Sequence, residues 1–393
     1  MTANDTAFEL LKLTMTPGIG PVLARRLLDR FGTVDRIIEA SAASLEGVPG
    51  IGPAKAQAFV RSLPQSAELA AAELALAERL GVHLVALGTP HYPRLLAEVR
   101  EAPPVLYIRG TLNPAELEYP VAMVGSRKAT AYGIEQAERF ATALSQAGLT
   151  IISGGARGID SAAHRATVRA GGRTVAVLGC GLSCCYPPEN APLFDEIVAA
   201  GGAIVSELPL RTSPAPENFP ARNRIISGLS LGVLVIEAPI GSGALITARQ
   251  ANEDQGREVL AVPGRIDSPS SQGCNELLKR GEASLVTCPA DVIAALESPA
   301  RHHFVGTHDA RFGSGITPPT DDRVSPRIRE ARSVALTSLT ERQRQVFEAL
   351  TRPQSIEDAC LTTGLDAGVV RSEVTILEVR GLITRSGSVF QHA

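Results

Sequence analysis

Tryptophan is absent from this chain and aromatic residues make up only 4% of it. A broad platform of stacked rings for nucleic-acid bases is thereby excluded, so any base contact has to rest on a few side chains. A cationic surplus is missing too: 38 Lys and Arg stand against 41 Asp and Glu, a formal net charge of -3. Binding a polyanion then requires the basic residues to be gathered in one place. No apolar run approaches the length of a membrane span, and the first apolar positions alternate with Glu9 and Lys12 rather than forming a leader. The expectation is a soluble, cytoplasmic protein with no membrane contact. Six cysteines are too few for a disulfide framework in a chain of 393 residues. Cys180, Cys184 and Cys185 cluster, but they lack Cys-x-x-Cys pairing and an accompanying His. They read as small residues packed at a strand end, and neither a metal nor a cofactor is expected.

What the chain does contain is most distinctive between Val121 and Asp160. An apolar run at 121–124 stops abruptly at Gly125-Ser126-Arg127-Lys128. Ile134, Ala137, Phe140, Ala141 and Leu144 then recur at helical spacing. A second apolar run closes on Ser153-Gly154-Gly155 and leads into Ala156-Arg157-Gly158-Ile159-Asp160. This is the strand, turn, helix and strand of a parallel sheet covered by helices, with small residues at the carboxyl ends where such sheets bind ligands. A dinucleotide does not suit it. The first turn has one glycine in place of Gly-x-Gly-x-x-Gly, and no carboxylate ends the second strand. Two cations beside exposed backbone N–H groups suit phosphates, and a merely surface-charged turn is the alternative.

Further strands are predicted at 83–87, 105–108, 174–178, 203–206, 233–237, 259–262 and 285–286, mostly separated by helical patterns. The fold class is therefore α/β, a doubly wound and mostly parallel sheet. Two more constellations fall at strand ends. Glu217-Asn218-Phe219-Pro220 precedes Arg222-Asn223-Arg224 near a helix start, where a cation opposes the helix dipole unless an anion lies between. A ligand is the expected anion. Gly241-Ser242-Gly243 opens another helix with an anion-ready N-terminus.

Smaller domains flank this one. At 8–62 a Gly-hydrophobic-Gly turn occurs twice, as Gly18-Ile19-Gly20 and Gly50-Ile51-Gly52, each entering an Ala-rich helix. The pair is similar to a helix-hairpin-helix tandem, which meets duplex phosphates through free helix N–H groups. Arg25, Arg26 and Lys55 would add charge, and a packing scaffold is the other reading. Residues 339–393 predict three helices and a hairpin with Ser-Gly at its turn, a winged helix-turn-helix of balanced charge. The expected boundaries are 1–65 for the helical domain, 66–298 for the sheet, 299–336 for a linker and 337–393 for the winged helix.

Taken in order, Gly125-Ser126-Arg127, Ser153 to Asp160, Glu217 to Pro220 with Arg222-Asn223-Arg224, Ser242-Gly243 with Thr247-Ala248, and Ala261-Val262-Pro263-Gly264 resemble the bacterial DNA-processing protein A family, also called Smf. The resemblance spans essentially the whole chain. It implies an extended Rossmann-like fold that binds single-stranded DNA without sequence preference, forms a homodimer and delivers the recombinase RecA onto DNA in natural transformation. It carries the DNA pocket to Arg127 and, with it, Phe219, Arg222 and Arg224. The candidate DNA-binding set is Gly125, Ser126, Arg127, Lys128, Gly154, Gly155, Ala156, Arg157, Phe219, Arg222, Asn223, Arg224, Ser242 and Gly243, with no catalytic residue. Duplex DNA is a further candidate partner for residues 8–62 or for the winged helix. Two departures from the family pattern, Glu101-Ala102-Pro103-Pro104 and Ser183-Cys184-Cys185, are expected to lie away from the pocket. The competing class is a Rossmann-like hydrolase that cleaves the glycosidic bond of nucleoside monophosphates. Such an enzyme needs a carboxylate in the first turn after its Gly-rich loop, and here Ile246 to Gln250 supply none before Glu253.

Overall fold

The computed structural model describes residues 3–113, 117, 119–303, 339–352, 354–379, 382–386 and 389–392. Most of the expected linker, with His308, and Gly387 of the expected hairpin turn lie outside the described residues. The chain divides into two units, one of Met1–Ser145 with Leu149–Val286 and one of Gln146–Gly148 with Thr287–Ala393.

The first unit opens with α1 (Ala3–Thr14), α2 (Pro21–Phe31), α3 (Val34–Ile38), α4 (Ala42–Glu46) and α5 (Pro53–Arg79). The repeat in the sequence is a repeat in space. Gly18 and Gly50 take φ of 80° and 92°, Gly20 and Gly52 are the N-caps of α2 and α5, and Pro21 and Pro53 follow as first helical residues. The isoleucine between each glycine pair, Ile19 or Ile51, is buried with Leu13, Leu27, Leu45 and Phe59. α5 runs unbroken through Pro64, so the boundary expected at residue 65 falls inside a helix.

Next come β1 (Val82–Ala86), α6 (Arg94–Ala97), β2 (Val105–Gly110), β3 (Pro120–Val124), α7 (Ala131–Gln146), β4 (Thr150–Ser153), α8 (Ile159–Arg169) and β5 (Thr174–Val177). They are followed by α9 (Ala191–Ala199), β6 (Ala203–Ser206), α10 (Asn218–Gly228), β7 (Gly232–Val235), α11 (Gly243–Arg249), β8 (Glu258–Ala261), α12 (Gln272–Arg280) and β9 (Ser284–Leu285). The strands form one sheet of nine in the order β1-β2-β6-β5-β4-β3-β7-β8-β9. From β6 to β9 every neighbour is parallel, while β2 joins β6 and β1 joins β2 antiparallel. The doubly wound, mostly parallel architecture expected from the sequence is thus present. β3 to β7 are buried at every position, as strands covered by helices on both faces must be. The chain leaves β3 towards β4 on one side and returns from β6 to β7 on the other. The topological switch point lies between the carboxyl ends of β3 and β7.

The second unit contains α13 (Pro289–His303), α14 (Glu341–Ala349), α15 (Ile356–Thr363), α16 (Ala367–Val379) and the antiparallel strands β10 (Ile383–Ser386) and β11 (Val389–His392). α13 thus extends past residue 299, where the linker was expected to begin. Capping boxes start α14 at Thr340 and Gln343 and α15 at Ser355 and Asp358. Three helices and a strand pair around Val346, Leu350, Val370, Val374, Leu377 and Phe390 follow the winged-helix order. Among the described residues no helix is long and apolar enough to cross a membrane.

Candidate nucleic-acid interface

The turns after β3 and β4 are fastened to each other. The Ser126 N–H donates to the Glu237 carbonyl at 2.7 Å, and the Ser126 carbonyl accepts from Ile159 N–H at 3.2 Å. Gly158, at φ 75°, presses so closely on that carbonyl that a Cβ would come within 2.2 Å of it, so only glycine fits. The backbone of the first turn is fixed, and Arg127 and Lys128 are exposed upon it. The Arg127 guanidinium carbon lies 5.1 Å from the centroid of the Phe219 ring, within cation–π range. Phe219 is half-buried at the start of α10 and meets Tyr186 at 5.4 Å between centroids, tilted by 41°. Arg157, 53% exposed, is hydrogen-bonded through Nε to Oε1 of Glu189. That bond raises the Arg157 pKa and lowers that of Glu189, and the nearby Tyr186 phenol adds a smaller upward push on Arg157. Arg127, Phe219, Tyr186 and Arg157 therefore make a cluster of two cations and two rings at the carboxyl ends of β3, β4 and β5.

Arg222 and Arg224 are elsewhere. Both are buried, at 5% and 6% exposure. Arg222 donates through Nη1 to the Gly154 carbonyl at 2.8 Å and to the Val177 carbonyl, so it ties the ends of β4 and β5 together. Burial pushes its pKa down to about 10, partly countered by the charge of Asp160. Asp160 is also buried, and burial raises its carboxyl pKa against the pull of Arg222. Arg224 makes a two-pronged pair with Glu207, both contacts at 2.6 Å. Burial depresses its pKa, and the Glu207 charge and hydrogen bonds more than offset this. The anion that the helix start demands is present, but it belongs to the protein. Both arginines, expected to meet phosphates, have internal partners for their charge in this structure. The Arg224 Nε donates to the Glu101 carbonyl at 3.1 Å, while the Glu101 carboxylate accepts from Arg26 at 3.1 Å. The departure at Glu101 therefore touches the surroundings of Arg224, contrary to expectation.

The glycines expected to admit a ligand largely admit protein. A Cβ on Gly125 would meet Ile159 at 2.5 Å and the Glu237 carbonyl at 2.8 Å. One on Gly154 would meet Arg222 and Asp160, each at 2.7 Å, and one on Gly155 would meet Phe194 at 3.0 Å. Ala156 is half-buried and its N–H donates to Asp160 at 3.2 Å. Asn223 is buried and donates to the Gly243 carbonyl at 3.3 Å, linking α10 to α11. Gly243 is exposed with no atom within 4 Å of a notional Cβ, and Ser242 precedes it as N-cap without a side-chain capping bond.

At the switch point, where related folds place a ligand, stands Glu237. It is 2% exposed and accepts from Thr130 N–H at 2.8 Å and from Thr130 Oγ1 at 2.6 Å, at the N-terminus of α7. A carboxylate is favoured at a helix N-terminus, and this one fills the seat that a phosphate takes in dinucleotide folds. Gly133 makes room for it, since a Cβ there would lie 2.5 Å from Oε2.

Tyr186, Asp160, Glu189, Glu207 and Glu237 were not in the expected set. Glu207 and Glu237 each stand within two residues of the end of an apolar strand, which is the one local signal they carry. His164 is buried with Nδ1 2.7 Å from Thr174 Oγ1, and burial, reinforced by Arg222, pushes its pKa down to about 3. In the helical region the three expected DNA cations have internal partners: Arg25 on Asp29, Arg26 on the Pro49 carbonyl and Glu101, and Lys55 on the Gly50 carbonyl.

The family model described as DNA recombination-mediator protein A matches residues 83–297, and that for a SAM-like helix-hairpin-helix tandem matches residues 9–64. Protein Smf of Synechocystis sp. is 39% identical over 298 residues, covering 75% of this chain and 73% of that protein. Protein Smf of Escherichia coli is 42% identical over 248 residues, covering 63% of this chain and 65% of that protein. The X-ray structure of DNA processing protein A from Streptococcus pneumoniae aligns with a TM-score of 0.63 at 36% identity, covering 74% of this chain and 97% of that one.

Proposed function

Since the chain belongs to the DNA recombination-mediator protein A family, we propose that it binds single-stranded DNA through the partly exposed cluster at the carboxyl ends of β3, β4 and β5. The observation that carries this reading is Arg127 lying over Phe219 on a turn whose backbone is fixed. A phosphate meets the outer face of the guanidinium, with Lys128 beside it, and an unstacked base meets Phe219 or Tyr186. Both modes are indifferent to sequence, because every nucleotide offers a charge and a π-face. Two rings are enough for a contact of this kind, and the scarcity of aromatics allows little more.

On this reading the protein works in the cytoplasm on DNA taken up in transformation, as a homodimer that protects the strand and passes it to the RecA recombinase. Residues 8–62 act first as a scaffold, since Arg25, Arg26 and Lys55 already have acceptors. The free N–H groups of α2 and α5 are what they retain for duplex DNA. A hydrolase is the weaker alternative, because Glu253, the first acid after the Gly241-Ser242-Gly243 turn, is exposed and pairs with Arg249 at 3.8 Å. The test is a salt titration of binding to single-stranded and duplex oligonucleotides of several sequences. Single strands should bind more tightly, with one salt slope for all sequences. Equal binding of duplex, or slopes that change with sequence, would sink the reading.

A further inference from the structure

Five cations stand at or beside the carboxyl ends of β3 to β6, and they fall into three states. Arg222 and Arg224 are buried on internal partners. Arg127 and Lys128 are exposed, and among the described residues no carboxylate pairs with either. Arg157 is between the two: exposed, yet held by a carboxylate that is itself 48% exposed. The contact is single, Nε to one oxygen, unlike the two-pronged pair of Arg224 with Glu207.

Glu189 is not there by chance of a mobile loop. It lies in a 3₁₀ turn, Pro188–Asn190, whose next residue is anchored to the Arg157 turn. Asn190 is buried, and its Nδ2 donates to the Gly155 carbonyl at 2.9 Å and to Ser161 Oγ at 2.8 Å. Ser161 Oγ in turn donates to the Ala156 carbonyl at 2.6 Å. The backbone that carries Glu189 is thus pinned to the backbone that carries Arg157. The carboxylate is thereby presented to Arg157 beside the cluster formed by Arg127, Phe219 and Tyr186.

We propose that Glu189 is an internal phosphate mimic, which holds Arg157 when no DNA is bound and yields it to a phosphate of single-stranded DNA. This rests on the reading above that the cluster is the DNA site. An exposed ion pair is weak, because water screens it and two side chains must be ordered to make it. A DNA phosphate offers the same guanidinium an equal charge and releases counterions besides, so the exchange runs towards DNA. Arg127 and Arg157, carried on turns whose backbones touch, then hold phosphates of one strand, with the two rings beside them facing bases. Glu189 competes throughout, so it lowers affinity and eases release of the strand. That suits a protein which must hand its DNA on.

The test is a double-mutant cycle in the full chain, read by fluorescence anisotropy of an oligo-dT probe. Glu189→Gln should tighten binding by about twofold to fivefold, the usual worth of an exposed ion pair. In an Arg157→Ala background the same change should do nothing. That background should itself bind more weakly, with a salt slope shallower by about 0.7. An equal gain in both backgrounds would mean that Glu189 acts only as a general negative charge, and a loss on Glu189→Gln would mean that it assists binding. Either result overturns the proposal. Arg127→Ala in parallel separates the two levels: weakened binding there with no gain from Glu189→Gln defeats the exchange alone, and wild-type binding there defeats the DNA site and the exchange together. Unchanged melting temperatures confirm that the variants are folded.

Discussion

Arg222 and Arg224 sit in the interior on Gly154, Val177 and Glu207, whereas Arg127 and Arg157 stand exposed at the ends of neighbouring strands. The four are alike in residue type and close in the fold. What separates them is water. A guanidinium removed from solvent must be matched inside the protein, or the desolvation is uncompensated, so its charge is committed to the fold. An exposed guanidinium keeps only weak, exchangeable partners and stays available to a ligand. The interior pair builds the platform, and the rim uses it.

The largest test of this division is on stability. Arg224→Ala strands the Glu207 carboxylate, which is 9% exposed, and should lower unfolding free energy by about 3–5 kcal/mol in a denaturant titration. The double variant Arg224→Met with Glu207→Leu should recover most of the loss. If Arg224→Ala melts like wild type but fails to bind DNA, the arginine belongs to the rim after all.

The interior also carries an acid liability at His164. Its folded pKa of about 3 lies below the unfolded value near 6.5, so between these values the unfolded chain binds the extra proton. Stability should therefore fall as pH drops below about 6.5, by roughly 2 kcal/mol at pH 5 relative to pH 7. His164→Gln should flatten this part of the profile. The same slope in the variant would assign the acid sensitivity to other groups.

The sequence was most transparent where one local rule sufficed. Strands buried on both faces read as continuous apolar runs, and the two Gly-hydrophobic-Gly turns announced their helices. It was opaque where the answer lay across the sheet. Nothing near Arg222 or Arg224 in the chain reveals that their anions are Asp160 and Glu207, since the match is made only by the crossover from β6 to β7. The anion expected there is, at Arg224, the protein's own Glu207. The expected boundary at residue 65 was equally opaque, because α5 runs continuously across it from Pro53 to Arg79. Tyr186 follows Cys184 and Cys185 with no local pattern of its own, and only the fold brings its ring to Phe219.

On the rim, the aromatic member should show a different signature from the cations. Phe219→Ala removes a stacking face and should weaken single-strand binding by about 1–3 kcal/mol, with the salt slope unchanged. The ring also touches Gly179 and Tyr186, so Phe219→Tyr, which keeps the face, should restore most of the affinity. A changed slope in Phe219→Ala would show that the ring acts by positioning Arg127 rather than by holding a base.

Arg127→Ala gives the smallest change at physiological salt and the most specific one. A single phosphate contact on single-stranded DNA contributes about 0.7 to the slope of log K against log salt. Extrapolated from 1 M, where the release of counterions gives no gain, that contact is worth about fourfold in affinity at 0.15 M salt and about tenfold at 0.03 M. The loss should therefore grow as salt is lowered, and it should be the same for every base sequence, since a phosphate carries none. No internal carboxylate is left unpaired by the change, so the melting temperature should not move, in contrast with Arg224→Ala. A salt-independent loss would make Arg127 a mere cover for Phe219. Equal melting damage in Arg127→Ala and Arg224→Ala would erase the distinction between rim and interior, and with it the account of which arginines are free to hold DNA.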